Sequence, residues 1–537
     1  MRLLFACEFY SPSVGGVQEV MKQLAERMVQ RGHQVTVATT RLGERDFSSL
    51  NGVEIVGFDI VGNLVRGMTG EIERYREFVR TFPCDALMVK AAQQWTFDAL
   101  WPILDDLTCR KVFIPCGFSG LYEPTYQEYF QQLPDVMRKW DHLIFYAEQY
   151  RDVDFARAHG LDRFTILPNG ASEAEFDVEP DPAFRRRHGI PEDSFVLLTV
   201  GSMTGVKGHR EVAEAFARLK LGVGRHATLL LNGNEPPKPP IAPPPAPPSP
   251  PQQAAPATAL TPSSCSSAAV LAPAHAMAAA ANPPPPGMLA RATRVYRDEG
   301  LGGVANRVSH YLQRPLRVAA RTARAPMKVV RVSLQVADSL RRDGLAVTVE
   351  KVHRGVYDRT RNRAIWKVLP DRWKPSHVYG VAQWLAAANR SPLGTKLALH
   401  TNFPRNELVQ AYMAADLFIF ASNIEYSPLV LYEAAAAGTP FLTVPVGNAE
   451  EIARWTGAGV VCPAAKDERG YTRADPAVLA GAIAELARDP ARLRALGRTG
   501  RQRWLANFTW QVIAGRYEAI LAGRAQPCGI MVLKETS

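Results

Sequence analysis

The chain is poor in cysteine and has no long apolar run, and both shortages narrow what it can be. Seven cysteines in 537 residues (Cys7, Cys84, Cys109, Cys116, Cys265, Cys462 and Cys528) are scattered, odd in number and never spaced C-x-x-C. Neither a disulfide framework nor a zinc site is suggested by that pattern, and a reducing compartment fits it best. No stretch approaches the ~18 consecutive apolar residues of a membrane span. The opening MRLLFACEFYSP has too short an apolar run for a secretory leader and reads as a first strand. The expectation is a cytoplasmic protein.

What is present belongs to a soluble globular protein, with 47% apolar and 21% charged residues. The length suggests two to four domains with large cores. The formal charge of +11 is unevenly placed, because residues 291–374 alone hold 20 basic against 7 acidic side chains. The remainder is close to neutral, so the basic character belongs to one segment.

The stretch that organises the rest runs from Ser422 to Pro445, SNIEYSPLVLYEAAAAGTPFLTVP. It reads as loop, helix, turn and strand. Ser427 suits an N-cap and Pro428 a first helical position. Leu429 to Ala437 are good helix formers, Gly438 suits a left-handed C-terminal position, and Pro440 stops continuation before a strand over Phe441–Val444. Glu425 and Glu433 bracket the helix start. A helix N-terminus offers free N–H groups and a positive dipole end to phosphate, and neighbouring carboxylates accept hydrogen bonds from sugar hydroxyls. Together these describe a nucleotide-sugar site.

Two further units carry phosphate-binding character. Near the N-terminus a strand (Arg2–Cys7) leads through a loop holding Gly15-Gly16 into a helix (Val17–Gln30) and a second strand (Gln34–Thr39). Later, a strand over Phe195–Val200 leads through Gly201-Ser-Met-Thr-Gly-Val-Lys-Gly208 into a helix over His209–Leu219 and a strand over Ala227–Leu231. Between them lie strands at Asp85–Val89, Lys111–Ile114 and His142–Phe145.

The E-x7-E pair followed by A-x-A-A-G-x-P resembles the signature of the retaining glycosyltransferases of family 4. SPSVGGVQEVMKQLAERMVQRGHQVTV and the Pro168-Asn-Gly170 turn match the same family. The resemblance implies an α/β protein of the GT-B fold, two Rossmann-like domains facing a cleft. It implies that Gly15 and Gly16 approach the donor diphosphate, with Gly201, Ser202, Ser427, Leu429 and Val430 also at the donor. Lys207 would neutralise the leaving diphosphate, Glu425 would bind donor sugar hydroxyls, and Glu433 the nucleotide ribose. It further implies no metal and no cofactor, the nucleoside-diphosphate sugar being a substrate. Two positions depart from the family. Ser202 stands where an arginine is usual. Cys116 stands where many relatives have a histidine aimed at the donor sugar, so either the donor is held differently, with Cys116 as a catalytic contact, or the site is weakened, or Cys116 is a buried structural thiol.

The resulting division places a first, acceptor domain at residues 1–175. A second, donor domain spans 190–235 and 375–507, and a C-terminal helix at 508–525 crosses back to the first. Residues 236–287, with 18 prolines among runs of Ala and Ser, read as a disordered insertion. Residues 288–374 read as a basic helical insertion. Its charge is a solvated face, an anionic membrane contact on the inner membrane face or a site for an acidic partner, with no motif for nucleic acid. The implied activity is sugar transfer to a glycan or lipid-linked acceptor in surface polysaccharide or glycolipid biosynthesis. A degenerate GT-B scaffold using the basic insertion, and a GT-B nucleotide-sugar epimerase, are the alternatives.

Overall fold

The computed structural model describes residues 1–222, 224–234, 379–390, 395–467 and 470–527. The expected Pro-rich segment 236–287 and basic helical segment 288–374 lie outside these residues. The described chain is built on two separate sheets. The first contains β1 (Arg2–Ala6), β2 (Gln34–Thr40), β3 (Ser49–Leu50), β4 (Val53–Phe58), β5 (Ala86–Lys90), β6 (Arg110–Ile114), β7 (His142–Phe145) and β8 (Phe164–Ile166). Their order is β8-β7-β6-β5-β1-β2-β4-β3, all parallel except the β3–β4 pair. β5 is buried at every position, as a strand covered on both faces must be, and accordingly reads ALMV without alternation before Lys90.

The second sheet contains β9 (Phe195–Val200), β10 (Ala227–Asn232), β11 (Lys396–Thr401), β12 (Leu417–Phe420), β13 (Phe441–Thr443) and β14 (Gly459–Val461). It is wholly parallel in the order β11-β10-β9-β12-β13-β14. Counted from β9, that is the 3-2-1-4-5-6 order of a doubly wound nucleotide-binding sheet. In such sheets ligands settle beyond the carboxyl ends of the strands, where the winding reverses. Here that point lies between β9 and β12. In the first sheet it lies between β1 and β5.

The helices that carry or brace the functional side chains are α1 (Gly16–Gln30), α2 (His209–Arg218), α3 (Arg405–Ala414), α4 (Leu429–Ala436), α5 (Ala449–Thr456), α6 (Pro490–Asn507) and α7 (Trp510–Leu521). The apolar face of α1, with Val20, Met21, Leu24 and Met28, shares a core with Ile513, Tyr517 and Leu521 of α7. Arg31 Nε donates to Glu518 at 2.6 Å, and Arg110 Nε to the Ile520 carbonyl at 2.7 Å. The last described helix is therefore clasped to the first sheet. No helix among the described residues is long and apolar enough to cross a membrane.

Candidate active site where the two sheets reverse

The loops leaving β9 and β12 are locked together. Gly208 has φ +73°, and a Cβ there would stand 1.8 Å from the Ala421 carbonyl oxygen, so only glycine closes this loop. Asn423 N–H and Ser422 Oγ both donate to the Val206 carbonyl, at 2.8 and 3.0 Å. This lacing presents Lys207 to Glu425, and the two form an ion pair.

Helix α4 opens one residue later than the sequence suggests. Pro428 keeps an extended ψ of 117°, so it is the boundary residue and Leu429 the first helical one. Ser427 consequently does not cap the helix, and its buried Oγ approaches the Tyr432 hydroxyl instead. The first-turn amides of Leu429 and Val430, which lack acceptors within the helix, remain as donors at the cavity.

Glu433, one turn further, is held from two sides. Arg405 Nη2 lies 2.7 Å from Glu433 Oε1, and the Tyr412 hydroxyl donates to Oε2 at 3.0 Å. Arg405 also grips Glu175 at 2.9 and 2.8 Å. Burial disfavours its charge, but Glu433 and Glu175 together raise its pKa above the ordinary guanidinium value.

The first sheet supplies the opposite wall. Lys90, at the end of β5, is 1% exposed, and its ammonium sits 4.9 Å from the centre of the Tyr146 ring. Burial pushes that ammonium down to about 8, with Cys116 and Cys7 opposing the shift. Cys116, whose backbone is left-handed at φ +63°, has its thiol pushed up by burial against the influence of Lys90. Asn169 is also buried; its Nδ2 donates to the Ser427 carbonyl at 3.2 Å while its Oδ1 has no partner.

A bridge beside the cavity joins the two domains. The Tyr426 hydroxyl accepts the Tyr146 N–H at 3.0 Å, and its ring stacks on Tyr150 with centroids 4.5 Å apart. Asn448 Nδ2 donates to the Tyr146 carbonyl at 2.7 Å, and Glu451 accepts the N–H groups of Glu148 and Gln149 at 2.8 and 2.9 Å. Asp152 accepts the Gly117 N–H at 2.8 Å, and burial pushes its carboxyl up to about 6.

All of this surrounds one cavity of about 670 Å³. Gly15, Gly16, Cys116, Gly201, Lys207, Glu425, Ser427, Leu429, Val430 and Glu433, chosen from the sequence, all line it. Ser202 is not among the lining residues. Its loop turns instead toward the end of β10, where Met203 N–H bonds the Asn234 carbonyl at 2.9 Å. Sequence reasoning passes over Lys90, Arg405 and Tyr426 and takes Asn169 only as a turn residue. The one available signal is a lysine closing an otherwise apolar strand.

Two family descriptions match the chain: Glycosyltransferase Family 4 over residues 14–175 and Glycosyl transferases group 1 over residues 386–503, together more than half of it. The chain belongs to these glycosyltransferases. A D-inositol 3-phosphate glycosyltransferase of Catenulispora acidiphila is 34% identical over 140 residues, 25% of this chain and 31% of that protein. This alignment thus spans about a third of the curated relative. Among solved structures, sucrose-phosphate synthase from Thermosynechococcus elongatus aligns with a TM-score of 0.55 at 14% identity, covering 97% of this chain and 98% of that one. Anabaena HepE in complex with UDP-glucose aligns at 0.53 and 12%, covering 97% and 100%. At such identities the likeness is one of fold, and the fold is GT-B.

Proposed function

We propose that this chain is a retaining glycosyltransferase, moving a sugar from a nucleoside-diphosphate sugar to a glycan or lipid-linked acceptor hydroxyl. The observation that carries the proposal is the meeting of Lys207, Glu425, Glu433 and the α4 amides at the switch point of the second sheet, facing Gly15-Gly16 of the first. In the reaction the bond from the anomeric carbon to the diphosphate oxygen breaks. A bond from that carbon to the acceptor oxygen forms on the same face, and the acceptor proton leaves with the diphosphate or to solvent. Charge accumulates on the diphosphate, so pre-placed donors there lower the barrier most. Lys207 and the amides of Leu429 and Val430 are such donors. Glu425 would take sugar hydroxyls and Glu433 the ribose. Cys116, kept protonated by burial, supplies contact rather than charge. No metal is assigned a role in this scheme, and a cytoplasmic site of action is its natural setting.

That HepE was solved with UDP-glucose supports a nucleotide-sugar donor for this chain. The second reading, a degenerate scaffold, is favoured by the two departures, Ser202 for the usual arginine and Cys116 for the usual histidine, and opposed by Glu425, Glu433 and Lys207. Incubation with UDP-, GDP- and ADP-sugars, then NMR of the released or transferred sugar, tests the choice. The proposal expects consumption of one donor with its anomeric configuration kept in the product. Inversion, or no consumption of any donor by folded protein, counts against it.

A further inference from the structure

Ser202 leaves the second domain one cation short at the leaving diphosphate, and the first domain holds a cation that has no protein anion among the described residues. Lys90 is 1% exposed and lines the same cavity as Lys207. Among the described residues no carboxylate lies within ion-pair distance of it, and its neighbours are the Tyr146 ring and the thiols of Cys7 and Cys116. Those thiols offer no counter-charge, since burial pushes Cys7 up to about 12 and Cys116 up as well. Of the other cavity cations, Lys207 is spent on Glu425 and Arg405 on Glu175 and Glu433, while Lys22 of α1 is only half-buried and keeps its access to solvent. A buried ammonium without a partner costs the fold free energy unless something outside the chain compensates it.

The strand order says what that is. β1 and β5 flank the switch point of the first sheet, so Lys90 stands beside the loop that carries Gly15 and Gly16 into α1. α1 has 15 residues, and its first amides face the cavity that Lys90 enters. Apart from its chain neighbours and its own helix backbone, no heavy atom lies within 4 Å of where a Cβ would stand on Gly16, so the described fold leaves that space open. Glu19, also at the cavity, is engaged by Gln23 at 2.6 Å. Helix amides, open backbone and an uncompensated ammonium thus line the same cavity.

We infer that Lys90 binds the diphosphate of the donor, from the first domain, and supplies the positive charge that Ser202 does not. This rests on the nucleotide-sugar reading of the site. It makes the leaving group bridge the two domains, with Lys207 on one side and Lys90 with the Gly16 amide on the other. An acceptor phosphate is the competing occupant, and the test separates the two.

The test is calorimetric titration of UDP, GDP, ADP and inorganic pyrophosphate into the full chain, as wild type, Lys90→Met, Lys90→Gln and Lys207→Met. Loss of a charge-assisted contact should weaken diphosphate binding about 10- to 100-fold. The expected result is that weakening in both Lys90 variants, with the melting temperature of unliganded Lys90→Met at or above wild type. A merely structural lysine would move the melting temperature down instead. Diphosphate binding unchanged in a folded Lys90 variant but weakened in Lys207→Met would overturn the inference and leave an acceptor anion as the occupant. Failure of every diphosphate to bind wild type would overturn the underlying reading itself. The Gln variant keeps the test open should Met not fold.

Discussion

Arg405 and Glu433 are joined at 2.7 Å, and Tyr412 holds the other oxygen of the same carboxylate. The glutamate expected at the donor ribose is therefore oriented by the protein's own side chains. Its lone pairs remain available to hydroxyls while Arg405 fixes the carboxylate plane. Preorganisation of this kind turns a flexible glutamate into a defined acceptor.

Glu433→Ala should weaken nucleoside-diphosphate binding about tenfold or more, the value of a charge-assisted hydrogen bond. Stability should fall by about 1–3 kcal/mol, because Arg405 keeps Glu175 but the buried Tyr412 hydroxyl loses its acceptor. Titration calorimetry and thermal melting check the two parts separately. An unaltered affinity would remove Glu433 from the donor site.

Lys207→Ala should act on the chemical step. In the proposed reaction its charge faces the bond that breaks, and losing one such donor lowers kcat about 100- to 1000-fold. KM should rise as well, because the same charge meets the diphosphate of the bound donor, but kcat should carry the larger effect. A pure KM effect would mean that Lys207 binds donor and transition state alike.

Lys90 gives a pH signature. Its folded pKa of about 8 lies below the ordinary 10.5, so the unfolded chain binds more protons between those values. The linkage makes Lys90 a constant cost to stability below pH 8, a cost that fades as pH rises toward 10.5. A bound diphosphate favours the ammonium, so binding near pH 8–9 should take up protons from the buffer. The groups facing Lys90 are Cys7 after β1, Cys116 after β6 and Tyr146 after β7, with Glu19 and Lys22 of α1 and Tyr426 also at the cavity. Burial raises the thiols and both tyrosines, which keeps them protonated there. Titration in buffers of different ionisation enthalpy should show the uptake in wild type and its absence in Lys90→Met.

Tyr426→Phe tests the bridge. It removes the acceptor for the Tyr146 N–H and leaves a buried donor unmatched, at a cost of about 1–3 kcal/mol. Denaturant unfolding should register that loss. An unchanged midpoint would show that water replaces the hydroxyl.

Much of the cavity wall from the second domain is legible in the chain because it is local. Gly438 does take the left-handed turn, at φ +73°, and Glu425, Leu429, Val430 and Glu433 meet at one place because a single loop and helix carry them. The cap expected at Ser427 is off by one residue, since proline fixes φ while the ψ that decides the boundary is set by packing. Lys90 and Arg405 acquire meaning only from strand order and domain closure. Lys90 lies 75 residues from Gly15 in sequence, and nothing local announces that β5 pairs with β1. Arg405 looks like any helix-opening arginine until Glu175 and Glu433 approach it from different elements. Cys116 taken alone reads as a weakened site; beside Lys90 it reads as a neutral neighbour that leaves the ammonium unpaired.

The most direct measurement is the melting temperature of wild type and Lys207→Ala against a panel of UDP-, GDP- and ADP-sugars. The account predicts that one donor class stabilises wild type and that Lys207→Ala loses most of that shift while remaining folded. A well-folded wild type that no nucleotide sugar or diphosphate stabilises would contradict it.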